Sequence, residues 1–310
     1  MLKFCDRTIS WNPESSRSPI SFPVGDHPKW QNVDTLEAGL FKFLKDTRLR
    51  WVILILMFLV FLVLLRVLLW NFEQRMTFAP TSEWVAELPD TATEMTIGEH
   101  ISAAWFPVPD ANFTIVYCHG NGGNISHRFA MAKHFQEMGW PVLLFDYRGY
   151  GKSTGGPPSE EKIFEDTQKA VSHAIDNHRS PIILYGRSLG TVAAIHHSYS
   201  SRNSRRGLIL DSPLLSAKAM AEEMGLGWFS PLIHQKLDNE KRLPEVIAPT
   251  LILHGDADRI VPISHSRQLK EMANDVTTLV EIPGGRHNDS RRRGPALEAL
   301  KSFIKEFQKP

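Results

Sequence analysis

The chain has 310 residues, of which 42% are hydrophobic and 22% charged, so it is long enough for one or two globular domains with a sizeable core. Its formal net charge of +1 gives no electrostatic reason to expect nucleic acid as a partner. The two cysteines, Cys5 and Cys118, lie far apart and form neither a disulfide framework nor a zinc-ligand spacing.

The N-terminal segment, residues 1–50, is rich in Ser, Pro and Asn and shows little periodicity before DTLEAGLFKFLKD (34–46). This composition is typical of a polar, largely disordered tail. The periodic stretch 34–46 fits either a short amphipathic helix beside a membrane or an extension of the apolar helix that follows it.

An apolar run at residues 51–70, WVILILMFLVFLVLLRVLLW, carries one charge, Arg66. Its length matches a helix that crosses about 30 Å of hydrocarbon, and it lacks the polar face of a buried core helix. Trp51 and Trp70 bracket the run as interfacial aromatics do, and Arg66 is near enough to one end to reach the headgroups. The run starts too late and is too long for a cleaved signal peptide. We therefore predict one transmembrane helix.

The charges that flank this run predict its orientation. The fifteen residues before it contain Lys42, Lys45, Arg48 and Arg50, whereas the fifteen after it contain only Arg75. Basic residues stay preferentially on the cytoplasmic side of a membrane. The pattern therefore favours a single-pass protein with a cytoplasmic N-terminus and the large C-terminal part on the non-cytoplasmic side.

From residue 71 onward, short apolar runs alternate with helical patterns. The runs are FTIVYCHG (113–120), WPVLLFDYRG (140–149), PIILYGRS (181–188), RGLILDSP (206–213), PTLILHGDAD (249–258) and TTLVEIPG (277–284). Strands that are apolar on both faces and alternate with helices are typical of a parallel sheet covered on both sides. The stretch 93–108 alternates like an antiparallel hairpin at a sheet edge. Residues 71–310 are thus predicted to form one α/β domain, with ligands bound at the carboxyl ends of the strands.

Ser188 lies in GRSLG (186–190), between an apolar run and an alanine-rich helical pattern. A strand followed at once by a helix is the setting of the G-x-S-x-G elbow, in which a strained turn exposes the serine hydroxyl. Glycines suit the flanking positions because side chains there collide with the neighbouring strand and helix. The stretch predicts that Ser188 is a nucleophile, and a small residue in a tight turn is the alternative.

A serine nucleophile needs a histidine base and an acid that orients it. In the order Ser, Asp, His, the acid follows a later strand and the histidine lies near the C-terminus. Asp258 lies deeper than Asp256 in the loop after 249–255, so we assign Asp258 as the acid and Asp256 as a brace of the turn. Asp211 is a rival acid from the preceding strand. His287 follows the last strand in a glycine-rich loop and is the predicted base.

The loop YCHGNGGN (117–124) follows the first parallel strand and predicts an oxyanion hole. Its donors are expected to be the backbone N–H groups of Asn121 and of Leu189, the residue after the nucleophile. The loop fits neither the G-x-x-x-x-G-K-[ST] pattern nor G-x-G-x-x-G, so we expect no nucleotide and no other cofactor.

The motifs HGNGGN, FDYRGYGKSTG, GRSLG, HGDADRIVP and GGRHND together resemble those of the α/β-hydrolase superfamily. The resemblance covers residues 75 to 308 and points to small-lid serine hydrolases, a group with serine aminopeptidase-like, lysophospholipase-like and depalmitoylase-like members. It implies Ser188 as nucleophile, His287 as base and Asp258 as orienting acid. It also implies an oxyanion hole formed by Asn121 and Leu189.

The expected reaction is acyl transfer to water through an acyl-enzyme, which admits esters, thioesters and amides. The segment at about 212–248 is where this fold carries its lid, and its stretch MAEEMGLGWFSPLI either covers an acyl chain or packs on the core. A membrane tether favours an acyl-ester or acyl-thioester substrate, including lipid. The alternatives are a serine peptidase with the same triad and a non-catalytic membrane scaffold. Arg148 is expected to brace its loop through ion pairs rather than bind substrate.

Overall fold

The computed structural model describes residues 47–178, 181–201, 207–289 and 292–308. Most of the predicted tail 1–50, and with it the amphipathic helix predicted at 34–46, lies outside these residues. The chain divides into two compact units, residues 1–63 and 64–310. The second unit begins inside the first helix of the described residues and contains all the strands described below.

The apolar run forms one long helix, α1 (Thr47–Thr77), which extends beyond the predicted 51–70 at both ends. Its 18-residue apolar core has a mean hydropathy of 3.3 and is not buried in the protein, and among the described residues it is the one helix long and apolar enough to cross a membrane. Residues 71–77 continue the helix because they include neither Gly nor Pro to stop it.

The remaining elements alternate as the sequence predicts. The strands are β1 (Ala79–Pro80), β2 (Thr93–Ile97), β3 (Ile101–Phe106), β4 (Thr114–Cys118), β5 (Gly122–Gly123), β6 (Val142–Phe145), β7 (Ile182–Arg187), β8 (Gly207–Asp211), β9 (Thr250–Gly255) and β10 (Thr277–Ile282). The further helices are α2 (Phe129–Glu137), α3 (Glu160–His178), α4 (Leu189–Ser201), α5 (Ala217–Glu223), α6 (Asn239–Arg242), α7 (Ile263–Met272) and α8 (Gly294–Lys305). Within the described ranges, 3₁₀ turns lie at Ile125–Arg128, Gly227–Leu232 and Leu243–Glu245.

Eight strands form the central sheet in the order β10-β9-β8-β7-β4-β6-β3-β2. The strands from β10 to β6 are parallel, whereas β3 runs antiparallel to β6 and β2 antiparallel to β3 at the edge. The predicted hairpin at 93–108 is therefore confirmed. A separate parallel pair joins β1 to β5.

Two apolar cores cover the two faces of the sheet, since successive residues of a strand point to opposite sides. In β4, Val116 belongs to the core that includes α3 and α4, while Ile115 and Tyr117 belong to the core that includes α2 and α8. Burial on both faces explains why the central residues of β4, β6, β7, β8 and β9 are mostly apolar. Polar residues concentrate at the strand ends and in the loops that follow, where the candidate site lies.

Candidate active site

Ser188 occupies the sharp turn between β7 and α4. Its φ is 50°, in the left-handed region that side chains other than glycine rarely adopt, and its N–H donates to the Asp211 carbonyl at 2.9 Å. A Cβ at Gly190 would lie 2.0 Å from the Cys118 carbonyl oxygen, and one at Gly186 would lie 2.7 Å from the Gly190 oxygen. Both glycines of GRSLG are thus required by close backbone packing, and the turn holds Ser188 at the carboxyl edge of the sheet.

Asp258 and His287, which the sequence places 29 residues apart, form a hydrogen-bonded pair. The distance from His287 Nδ1 to Asp258 Oδ2 is 2.7 Å. The other carboxylate oxygen accepts the N–H groups of Ile260 and Val261 at 2.9 and 3.0 Å. With Nδ1 donating to the carboxylate, Nε2 of His287 is the ring nitrogen left to accept a proton.

The pKa of Asp258 reflects two opposing effects. Burial disfavours the ionised carboxylate, but interactions with His254 and His287 and the backbone N–H of Ile260 outweigh it and hold the pKa of Asp258 well below its ordinary value. Asp258 therefore remains ionised at neutral pH. An ionised carboxylate at this position keeps the His287 ring oriented and stabilises the imidazolium when it forms.

The two other acids considered from the sequence have different partners. Asp256 accepts the Gly284 N–H at 2.6 Å and so braces the turn. Asp211 is fully buried, with its Oδ2 3.5 Å from Arg187 Nε and 3.4 Å from the Tyr185 hydroxyl. Neither carboxylate is paired with His287 in the contacts of the described residues.

Arg187, which precedes Ser188, was not singled out from the sequence. It is 5% exposed, and its guanidinium donates to the backbone carbonyl of His287 and to Asn288 Oδ1, the latter at 2.8 Å. One side chain therefore connects the elbow to the loop of the candidate base. Its position is variable in the G-x-S-x-G pattern, so the motif gives no signal for it.

The candidate oxyanion loop is fixed by His119, another residue to which the sequence gave no role. His119 is fully buried, and its Nδ1 is 2.7 Å from the Gly120 carbonyl oxygen, so this nitrogen is the donor. The Gly120 carbonyl and the Asn121 N–H belong to one planar peptide group, in which they point in opposite directions. The His119 hydrogen bond consequently sets the direction of the Asn121 N–H. Gly120 lies next to the elbow, since a Cβ there would be 3.6 Å from Ser188 Cβ.

Leu189 begins α4, so its N–H is among the N-terminal donors that have no partner within the helix. The helix dipole adds partial positive charge at that end. Asn121, Ser188, Leu189 and His287 all line one cavity. The structure thus brings every predicted site residue to the carboxyl ends of the strands, with Asp258 behind His287.

This cavity has a volume of about 640 Å³. The end of α1 and the predicted lid segment (212–248) form much of its wall. The larger apolar side chains on these walls are Phe72, Met76, Leu214, Met220, Met224, Leu226, Phe229, Ile233 and Leu237. The site therefore combines polar groups on one side with a largely apolar enclosure on the other.

Two residues outside the cavity have structural roles. Arg148 Nε is 2.8 Å from Asp166 Oδ1 and the guanidinium also pairs with Glu165, which ties its loop to α3. Cys118 is buried and its thiol is not in a disulfide; burial raises its pKa to about 12. No three His, Cys, Asp or Glu side chains cluster as metal ligands in the part of the chain that the structure describes.

The sheet order, the turn at Ser188 and the strand-end loops define an α/β-hydrolase. Residues 109–239 and 216–289 match the family described as "Serine aminopeptidase, S33". The chain belongs to this hydrolase family.

The chain is also similar to a curated relative and to solved structures. Uncharacterized protein YfhR of Escherichia coli O157:H7 is 34% identical over 218 residues, which is 67% of this chain and 75% of YfhR. The monoacylglycerol lipase of Paleococcus ferrophilus superposes with a TM-score of 0.51 at 22% identity, covering 67% of this chain and 98% of the lipase. The esterase Pf2001 of Pyrococcus furiosus superposes with a TM-score of 0.60 at 19% identity, covering 74% of this chain and 100% of the esterase. At these identities the two structures share the fold.

Proposed function

We propose that this protein is a membrane-anchored serine hydrolase that cleaves carboxylic ester or thioester bonds of acylated substrates. The observation that carries the proposal is the 2.7 Å bond between His287 and the ionised Asp258, beside a cavity that also exposes Ser188 at a strained turn. The two structural neighbours are an esterase and a monoacylglycerol lipase, which supports the ester class.

In the proposed reaction, Ser188 Oγ attacks the acyl carbonyl while His287 Nε2 takes its proton. Negative charge develops on the carbonyl oxygen, where the N–H groups of Asn121 and Leu189 stabilise it. His287 then protonates the leaving alcohol or thiol. Water, activated by His287, hydrolyses the acyl-enzyme, and the proton returns to Ser188.

The apolar walls of the cavity favour an acyl chain over a peptide. An aminopeptidase needs an acidic group for the free amino terminus of its substrate. Among the described residues that line the cavity, Glu73 is the one carboxylate, and it already accepts the N–H groups of His234 and Gln235. A non-catalytic scaffold is disfavoured because Ser188, Asp258 and His287 are all present.

Membrane anchoring is proposed from α1, whose exposed apolar surface needs a nonpolar environment. The flanking charges favour a cytoplasmic N-terminus and a catalytic domain on the other side. Full-length protein should stay in the membrane pellet after alkaline carbonate extraction, and release into the supernatant would contradict the anchor. Protease protection of the domain in sealed vesicles tests the orientation.

The test of the catalytic assignment is labelling with a fluorophosphonate, which reacts with activated serines. Wild type should be labelled, and Ser188→Ala should lose labelling while circular dichroism shows that it remains folded. The matched control is Ser172→Ala on α3, a half-buried serine outside the cavity, which should label like wild type. Labelling that persists in Ser188→Ala would contradict the assignment of Ser188 as the nucleophile.

A further inference from the structure

The C-terminal end of α1 forms part of the cavity wall. Residues 64–77 of α1 belong to the same compact unit as the hydrolase sheet, and Phe72 and Met76 line the cavity that holds Ser188. Between them, the Glu73 carboxylate accepts the His234 N–H at 2.9 and 3.0 Å and also the N–H of the next residue. The same helix that carries the apolar run therefore encloses the site and holds the lid segment.

The lid segment also contacts the apolar run itself. Arg66, the one charged residue within 51–70, donates from Nη1 to the Leu232 carbonyl at 2.9 Å. At 1.5 Å per residue, Arg66 lies only about 9 Å along the helix axis from Phe72. The lid backbone at Leu232 therefore lies beside the C-terminal end of the run. In a spanning helix this end is near the boundary between the hydrocarbon and the headgroups of a bilayer.

The outer surface of the lid segment is apolar at this level. Trp228 and Leu232 are 76% and 45% exposed and do not line the cavity, and the nearby Met224, which also lines the cavity, is 51% exposed. Trp228 packs edge-to-face on Phe229 at 5.3 Å, and Phe229 lines the cavity. Single exposed apolar residues are ordinary on a protein surface. A group that is continuous with an apolar helix, and includes a tryptophan, fits the interfacial layer of a bilayer.

We propose that the lid segment lies in the interfacial layer of the bilayer that α1 enters, and that the cavity takes the acyl chain of a lipid ester directly from that layer. The occupant of the exposed lid surface is thus bilayer lipid. The substrate class becomes a long-chain acyl lipid whose ester group lies near the headgroups. This inference rests on the proposed hydrolase function and names its substrate class.

The depth of the lid can be measured without any catalytic step. Full-length protein is placed in phosphatidylcholine vesicles, with or without lipids brominated near the carbonyl end of the acyl chains. The fluorescence difference between wild type and Trp228→Phe reports Trp228 alone, and bromine should quench more than half of it. An unquenched difference spectrum would place Trp228 in water or against another protein copy and would overturn the proposal.

The acyl route is tested with two substrates, monooleoylglycerol in the same vesicles and water-soluble p-nitrophenyl butyrate. Leu232→Glu should slow vesicle hydrolysis at least tenfold and change butyrate hydrolysis less than twofold. The matched control is Val276→Glu. Val276 is 46% exposed and immediately precedes β10, so it lies at the amino end of that strand, away from the cavity at the carboxyl ends.

The remaining outcomes separate the two proposals. The bilayer route is overturned if wild type cleaves butyrate but not vesicle-borne monooleoylglycerol. It is also overturned if Leu232→Glu slows hydrolysis of both substrates equally. Neither result contradicts the proposed hydrolase function. Wild type that cleaves neither substrate and resists fluorophosphonate labelling overturns the proposed function, whereas quenching of Trp228 would still report the lid in the bilayer.

Discussion

The cavity has a floor and a roof that are built in different ways. The floor, at the carboxyl ends of the strands, holds its groups by close backbone packing and charged hydrogen bonds; Gly190 has no room for a methyl group and Asp258 accepts several donors. The roof consists of the end of α1 and the lid segment. It is apolar, and two carboxylates fasten it by accepting the N–H groups of residues 234–237: Glu73 for the first two and Glu160 for the last two.

This difference assigns separate tasks to the two regions. Groups that must be placed to within a fraction of an ångström for bond making belong on a rigid support, which the floor provides. In the proposed function, a surface that selects an acyl chain needs area and apolar side chains, and the roof has both. Changes in the floor should therefore affect every substrate alike, and changes in the roof should depend on chain length.

The largest effect is expected in the floor, from Asp258→Asn. Loss of the carboxylate leaves His287 without its orienting charge and favours the wrong ring tautomer, so kcat should fall about 10⁴-fold on short and long esters alike. Steady-state kinetics with butyrate and oleate esters measures this. Asp256→Asn, from the neighbouring acid that binds the Gly284 N–H, is the control and should keep kcat within about tenfold. Equal losses in the two variants would contradict the assignment of Asp258.

The next largest effect is expected from His119→Phe. The aromatic ring keeps the contacts with Tyr147 and Tyr150, at 4.4 and 5.0 Å, but loses the hydrogen bond to Gly120. The Asn121 N–H is then no longer fixed, so kcat should fall about 10²-fold with little change in KM.

His119→Asn separates positioning from packing. Its side-chain amide nitrogen can replace Nδ1 as a donor to the Gly120 carbonyl, so this variant should recover most of kcat although it loses the ring. If Phe preserves activity and Asn does not, His119 acts through packing and the positioning role is wrong.

The smallest effect is expected in the roof, from Phe72→Ala. Removing one apolar wall should raise KM for an oleate ester about threefold to tenfold and leave butyrate hydrolysis nearly unchanged, since a short chain does not reach the wall. Leu68→Ala, from a 66% exposed position of the same helix that does not line the cavity, is the matched control. An equal rise in KM for both esters would contradict the prediction that changes in the roof depend on acyl-chain length.

The sequence predicts which residues form the floor, but not which residues form the roof. Alternating apolar runs predict the parallel sheet because β4, β7 and β9 are buried on both faces, and the edge hairpin follows from its alternation. Short motifs at strand ends predict where Ser188, Asp258 and His287 lie, because parallel strands bring their carboxyl ends to one edge. Their catalytic roles remain predictions until the variants are measured.

The roof could not be predicted in the same way. The composition of an apolar helix does not depend on what its end contacts, so nothing in residues 71–77 indicates that Phe72 and Met76 line the cavity that holds Ser188. The lid segment has no motif, and its attachment depends on contacts between residues more than 150 positions apart. Arg187 and His119 were missed for a related reason: they act through backbone carbonyls, which any sequence supplies.

The helix that enters the proposed bilayer ends at Thr77, and β1 begins at Ala79. Phe78, which is buried, is the one residue between this helix and β1. In the proposed membrane arrangement, substrate reaches the cavity from the bilayer and not from the surrounding water. The rate of hydrolysis should follow the mole fraction of substrate among the lipids around α1, and dilution of the vesicles in buffer at constant lipid composition should leave turnover unchanged.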